Sequence, residues 1–181
     1  MIPDQLQTAN LSLRPFSVQD GQVVLEYWQS DPGWERYNAS VPTNFSLDDA
    51  REFVQEMRAR DRATSPNWVL VYQGRVVGVV SITFEQECRF AVIGYGVHGD
   101  LRGRGLSAEA ASKVINEAFK RYPDLQKIRA HTDARNAPSM RVLEKIGFSH
   151  EGTLRKNQFV KDNYVDESIY GLLREDWKAI D

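Results

Sequence analysis

"IGYGVHGDLRGRGLSAEA", residues 93–110, passes through three local patterns in one short run. Ile93 to Val97 closes a strand that β-branched and aromatic residues predict from Phe90 onward. Gly94 and Gly96 are odd inside it, since each costs order and leaves a side-chain gap; such glycines mark a bulge or a close backbone approach by a ligand. Then comes Arg102-Gly103-Arg104-Gly105, and from near Ser107 the residues suit a helix. Where a strand gives way to a helix across such a turn, backbone amides and the helix dipole converge on one point, which suits a phosphate. Glycine allows φ > 0 and a close approach to an anion's oxygens, and arginine adds counter-charge. The loop has neither the Lys-Ser/Thr ending of a Walker loop nor the G-x-G-x-x-G spacing of a dinucleotide fold. Taken alone, it stands open between a phosphate site and a surface turn with two solvated arginines.

The flanking sequence is mixed α and β. Upstream, Leu11 and Leu13 predict a first strand ended by Pro15, and Val23, Val24, Tyr27 and Trp28 share a helical face that Asp31-Pro32-Gly33 should stop. A second helix is predicted from Ser46, a cap with Asp49 three residues on, through Ala50, Phe53, Val54 and Met57; Arg51, Arg58 and Arg60 fall on its solvated face. Trp68–Tyr72 and Val76–Ile82 read as antiparallel strands about Gln73-Gly74. Downstream, Ala111, Val114, Ile115, Ala118 and Phe119 form a helical stripe ending near Pro123. Lys127–Thr132 reads as a strand, and "NAPSMRVLEKIGF" as a short helix capped by Asn136 and ended by Gly147. Strands around Gly152–Phe159 and Tyr164–Leu173 complete an α+β order.

The chain has 181 residues, of which 41% are apolar, and no repeat or linker, so one domain spanning 1–181 is expected. A formal net charge of -2 gives no bulk attraction to nucleic acid or an anionic membrane. No run approaches the roughly 20 apolar residues of a membrane span. One cysteine, Cys88, and no basic-then-apolar opening segment make a cytoplasmic location the expectation. No metal-ligand cluster stands out.

Several separated motifs together resemble the GNAT superfamily of acetyl-CoA-dependent N-acetyltransferases. Arg102-Gly103-Arg104-Gly105-Leu106-Ser107 looks like its pyrophosphate loop, "IGYGV" its bulged strand, "RAHTDARNAPSMRVLEKIGF" the strand and helix that splay away, and "HEGTLR" with "DESIYGLLREDW" the closing strands. The opening "LSLRPFSVQD" also matches, and the likeness is greatest to the Rim-type branch, which includes ribosomal-protein N-terminal acetyltransferases. The resemblance implies a mixed central sheet with a splayed strand pair holding acetyl-CoA and flanking helices. It also implies phosphate contacts from Arg102, Gly103, Arg104, Gly105, Leu106 and Ser107, pantetheine along the backbone near Val97, and Asn136 beside that arm. Asn136 equally suits a plain helix cap.

Transfer needs a neutral amine, a donor to the developing oxyanion and a proton for the departing thiolate. A backbone amide near Val97 is the expected oxyanion donor. Ser139 matches a serine of the Rim-type branch that protonates the sulfur, and it equally suits a first-turn hydroxyl bonding a free amide. The tyrosine of other branches would fall at Leu143. Serine-acetylating members carry a glutamate where Gln158 stands here, so the base is open among Glu85, Glu87, His98, Glu151 and His131, or is absent. Without a base, an α-amine is favoured over a lysine, because roughly one α-amine in ten is neutral near pH 7 against a few lysines per ten thousand. Gly96 replaces a bulky aromatic of Rim-type members, and Trp34, Tyr37 and Phe45 lie on the segment that borders the acceptor. The partners implied are acetyl-CoA and an amine, a ribosomal-protein N-terminus among the acceptors, with a homodimer left open. A small-molecule acetyltransferase acting on an aminoglycoside or polyamine, or a non-catalytic acyl-CoA-binding module, are the rivals.

Overall fold

Runs of β-branched and aromatic residues separated by turn residues fold as strands. The structure, a computed structural model, describes residues 1–30, 36–37 and 44–178. Its strands are β1 (Leu6–Gln7), β2 (Leu11–Arg14), β3 (Asn67–Tyr72), β4 (Arg75–Glu85), β5 (Phe90–Val97), β6 (Lys127–Asp133), β7 (Ser149–Val160) and β8 (Asn163–Leu173). The helices are α1 (Gly21–Gln29), α2 (Leu47–Ala59), α3 (Leu106–Arg121) and α4 (Ala137–Lys145). One mixed sheet runs β1-β2-β3-β4-β5-β6-β8-β7, with β5 and β6 its parallel pair, so the α+β class holds. The Asp31-Pro32-Gly33 stop and Trp34 lie outside the described residues.

Period-2 alternation gives the sheet two apolar faces, and helices cover both. Ala111, Val114, Ile115, Ala118 and Phe119 of α3 pack with Trp68, Leu70, Val80, Ile82, Ala91 and Ile93 on one face. On the other, Val24, Tyr27 and Trp28 of α1 and Ala50, Val54 and Met57 of α2 pack on Val69, with Val71, Val76 and Val79 at the margin. Each fully buried Val, Leu, Ile, Phe or Met among them contributes about 1.5–3 kcal/mol, and each alanine less. Phe45 joins this second core, its ring 5.0 Å from that of Trp28.

Two features of β4 to β6 set up the site. Strand β5 pairs with β6 only over Phe90–Val92 against Lys127–Arg129. Beyond that point β6 stays with β8, from Lys127↔Leu173 to Asp133↔Glu167, while β5 stays with β4 from Glu85↔Phe90 to Gly78↔Val97. The sheet therefore opens between β5 and β6. The expected bulge is not on β5, whose register with β4 is unbroken. It lies one strand over, where the β3–β4 register shifts between Leu70 and Val71 and leaves Val77 as the extra residue. Next to it, a β-carbon on Gly78 would collide with the carbonyl oxygen of Gly96. Gly78 is thus the glycine that permits a close approach, and the backbone approaching it is that of β5.

Candidate active site

In an antiparallel ladder, the N–H and C=O of one residue point to the same neighbour, alternating along the strand. His98 donates its N–H to the Val77 carbonyl at 2.7 Å, which fixes that alternation for β5. Gly96 and Gly94 accordingly bond to β4, and Val97, Tyr95 and Ile93 turn their backbone groups towards the opening left by β6. Side chains alternate too. Tyr95 and Val97 pack beside the α3 core, whereas Gly94 and Gly96 sit opposite Ser81 and Val79 on the α1–α2 face. The gap connects both faces, forming a cavity of about 900 Å³.

At its α3 end the cavity is lined by Arg102, Gly103, Gly105, Leu106 and Ser107. Gly103 and Gly105 have φ of 76° and 82°, a region that glycine occupies without strain. Gly105 is also the N-cap of α3, which therefore has no side-chain cap for its first amides. The helix begins at Leu106, one residue before the sequence predicts. Arg104 is exposed and does not line the cavity. Leu106 is buried in the core, so only its backbone suits a phosphate.

Across the opening, Asn136 Oδ1 accepts the Ser139 N–H at 3.2 Å and caps α4. Asn136 and Ser139 both line the cavity, so the capping role and a place on the cavity wall coexist. Tyr95 reaches over from β5: its hydroxyl donates to the Ser139 carbonyl at 3.2 Å and lies 3.3 Å from Ser139 Oγ. Burial pushes that hydroxyl up to about 12, against the opposing effect of its bond to Ser139, and it stays protonated at neutral pH. Nothing local marks Tyr95, because its partner is 44 positions away.

On the α1–α2 side the lining comes from Phe16, Tyr37, Phe53, Met57, Val79 and the two glycines of β5. Tyr37 lines the cavity on this side, whereas Phe45 packs against the second core. Among the described residues the lining carries one carboxylate, Asp133, against Arg60, Arg102, Arg141 and Lys145. Asp133 is ion-paired with Arg135 at 2.6 Å. Burial raises its carboxyl, but the Arg135 hydrogen bonds outweigh that and hold it below the usual range.

The five base candidates separate clearly. Glu85 pairs with Arg129, and Glu151 with Lys127 at 2.7 Å. Glu87 lies in the β4–β5 turn, and buried His98 accepts the Asp100 N–H on Nδ1 at 3.3 Å. Of the five, His131 alone lines the cavity. Gln158 lines it as well, donating its amide to Glu167.

A phosphate-type loop on one face, joined through a gap in the sheet to an apolar chamber on the other, defines an enzyme that brings two substrates together for group transfer. Residues 10–149 match the Acetyltransferase (GNAT) domain, and the chain belongs to that family. It is an acetyl-CoA-dependent N-acetyltransferase. It is 28% identical over 178 residues to the uncharacterized N-acetyltransferase p20 of Bacillus licheniformis, covering 96% of this chain and 98% of that protein. The ribosomal-protein-serine acetyltransferase of Escherichia coli K12 is 25% identical over 127 residues, covering 69% and 70%. A crystal structure of a GNAT-family acetyltransferase from Bacillus anthracis superposes with a TM-score of 0.81 at 28% identity, covering 94% of this chain and 99% of that one. No helix among the described residues is long and apolar enough to cross a membrane.

Proposed function

We propose that the acceptor is a protein or peptide N-terminal α-amine, acetylated by direct attack within a ternary complex. The observation that carries this reading is the charge of the cavity lining. A polyamine or aminoglycoside carries several positive charges and calls for carboxylates, yet the one carboxylate here is already neutralised by Arg135. A chain terminus brings a single amine on an extended backbone, and the side-chain-free positions Gly94 and Gly96 leave room for it. The ribosomal-protein acetyltransferase among the relatives supports the same acceptor class.

In this reading the pyrophosphate of acetyl-CoA rests on the amides of Gly103, Gly105 and Ser107, with Arg102 as counter-charge. The pantetheine arm pairs with the backbone groups of Tyr95 and Val97 like an added strand, beside Asn136. The amine nitrogen attacks the thioester carbonyl, whose oxygen takes a hydrogen bond from a β5 amide near Val97. The C–S bond breaks, and Ser139 Oγ gives the thiolate its proton, with the Tyr95 hydroxyl 3.3 Å away to hold the serine in place.

Free thiol released from acetyl-CoA tests this. Peptides with a free N-terminus should support turnover, and the same peptides with a blocked N-terminus and an internal lysine should not. Faster release with spermidine or an aminoglycoside than with any peptide would overturn the acceptor class, and binding without turnover on every amine would leave only an acyl-CoA-binding module.

A further inference from the structure

We propose that His131 is the general base of the transfer and that Glu167 is its positioning residue. Alternation along β6 places Ile128 and Ala130 on the α3 core face and His131 on the opposite one, where Gly94 and Gly96 leave space for the acceptor. Glu167, on neighbouring β8, is 5% exposed, and its Oε1 lies 3.5 Å from His131 Nδ1. Three groups surround this buried carboxylate: the His131 ring, the Asn157 amide, which donates to Oε2 at 2.7 Å, and the Gln158 amide, which donates to Oε1. A buried carboxylate held this way has fixed orientation. It faces the Nδ1 edge of the imidazole, so that in this proposal Nδ1 carries the proton and Nε2 serves the cavity that His131 lines.

This arrangement gives Gln158 a purpose. It cannot accept the proton, but it fixes the carboxylate behind the residue that does. The other charged groups around His131 are already paired: Asp133 with Arg135, and Arg129 with Glu85. Arg60 and Tyr37 reach the same chamber from the α1–α2 side, and β5 presents only its glycines there. Glu167 is therefore the carboxylate placed to steady a proton on His131.

The proton ledger closes. The acceptor enters as its ammonium form and His131 Nε2 takes one proton from it; the neutral nitrogen then bonds to the thioester carbon. As the C–S bond breaks, its electron pair leaves on sulfur, which takes the proton of Ser139, and a second nitrogen proton replaces that one through solvent. Solvent removes the proton from His131, so the net change is ammonium plus thioester to amide, thiol and a released proton.

The proposal rests on the acetyl-transfer reading, and its test separates the two. kcat/KM is measured against pH at saturating acetyl-CoA for two acceptor amines of different pKa, in the wild-type protein, His131→Gln and Glu167→Gln, with CoA affinity as the control for folding. In the wild type, the acid limb should fall at the same pH for both amines. His131→Gln should lose about a hundredfold or more, keep CoA affinity and show a limb that follows each amine's own ionisation. Glu167→Gln should lose less, and more for the higher-pKa amine; a merely structural role would slow both equally. Imidazole added to His131→Gly should restore part of the rate. Should His131→Gln not fold, His131→Asn repeats the measurement. A histidine variant with the wild-type rate, or a wild-type limb that follows the acceptor, overturns the base. No thiol release by the wild type with any amine overturns acetyl transfer itself.

Discussion

Helices α2 and α3 begin in opposite ways. At α2, Ser46 Oγ accepts the Asp49 N–H at 3.2 Å, and the Asp49 carboxylate accepts the Ser46 N–H at 2.6 Å, a closed reciprocal pair. At α3, the cap is Gly105 in the left-handed region, with no side chain to offer. Closing a helix start with its own side chains contributes about 1 kcal/mol. The difference separates a helix start that the fold closes with its own side chains from one it leaves open beside the cavity. α4 lies between these extremes: Asn136 closes its start, and the closed turn presents Ser139 to the cavity.

The largest test of that contrast is Gly105→Val. A β-branched residue is strained at a φ of 82°, and shifting the turn removes amides from the pyrophosphate. Loss of two charge-assisted hydrogen bonds is worth about 4 kcal/mol, roughly a thousandfold in CoA affinity, and the heat protection given by acetyl-CoA should vanish. Gly105→Asn, which tolerates the left-handed region, should keep measurable binding by calorimetry. Ser139→Ala comes next. It should lower kcat by roughly a hundredfold with little change in CoA affinity, provided single-turnover kinetics show that chemistry is limiting. If kcat is unchanged, α4 differs from α2 only in which residue closes it.

Ser46→Ala should cost about 1 kcal/mol in urea unfolding and leave CoA affinity untouched, the reverse of Gly105→Val. The smallest effect is on pH. Hydrogen bonds from the Ser46 backbone and hydroxyl hold the Asp49 carboxyl below its ordinary value. A carboxyl lowered in the folded state stabilises above its unfolded value, about 3.9, and that contribution is lost as pH falls through the lowered one. Asp49→Asn should therefore flatten the acid side of the melting profile; a mutant curve parallel to the wild type from pH 5 to 2 would deny the carboxylate this role.

The sequence showed most of what is local. Caps at Ser46 and Asn136, the stops at Pro15 and Gly147, and the left-handed turn residues Gly103 and Gly105 all rest on residues within one turn of each other, and they appear where predicted. The glycines of β5 point to a bulge or a close approach there, but the register shift arises from β3–β4 pairing, which no single strand reveals. Tyr95 with Ser139, and Glu167 with His131, depend on which strand neighbours which. Glu167 looks like any surface glutamate until β8 is seen between β6 and β7. Gln158 was legible only as a lost acid, since the carboxylate it binds is one strand away.

The short β5–β6 pairing also bears on motion. Three residue pairs, Phe90–Val92 with Lys127–Arg129, and the Gln126 N–H to Arg89 carbonyl bond just before them make a short backbone seam between a five-stranded block and the β6-β8-β7 block. Beyond that seam, the amides of Tyr95 and Val97 open on the cavity, and deuterium from solvent should reach them far sooner than it reaches Gly94 or Gly96, whose amides are locked to β4. In the proposed binding mode, an extended ligand arm laid along β5 would close the breach and join the two blocks into one continuous sheet. Exchange at those two amides should then slow first on adding acetyl-CoA, as expected of a removable strand that stiffens the sheet.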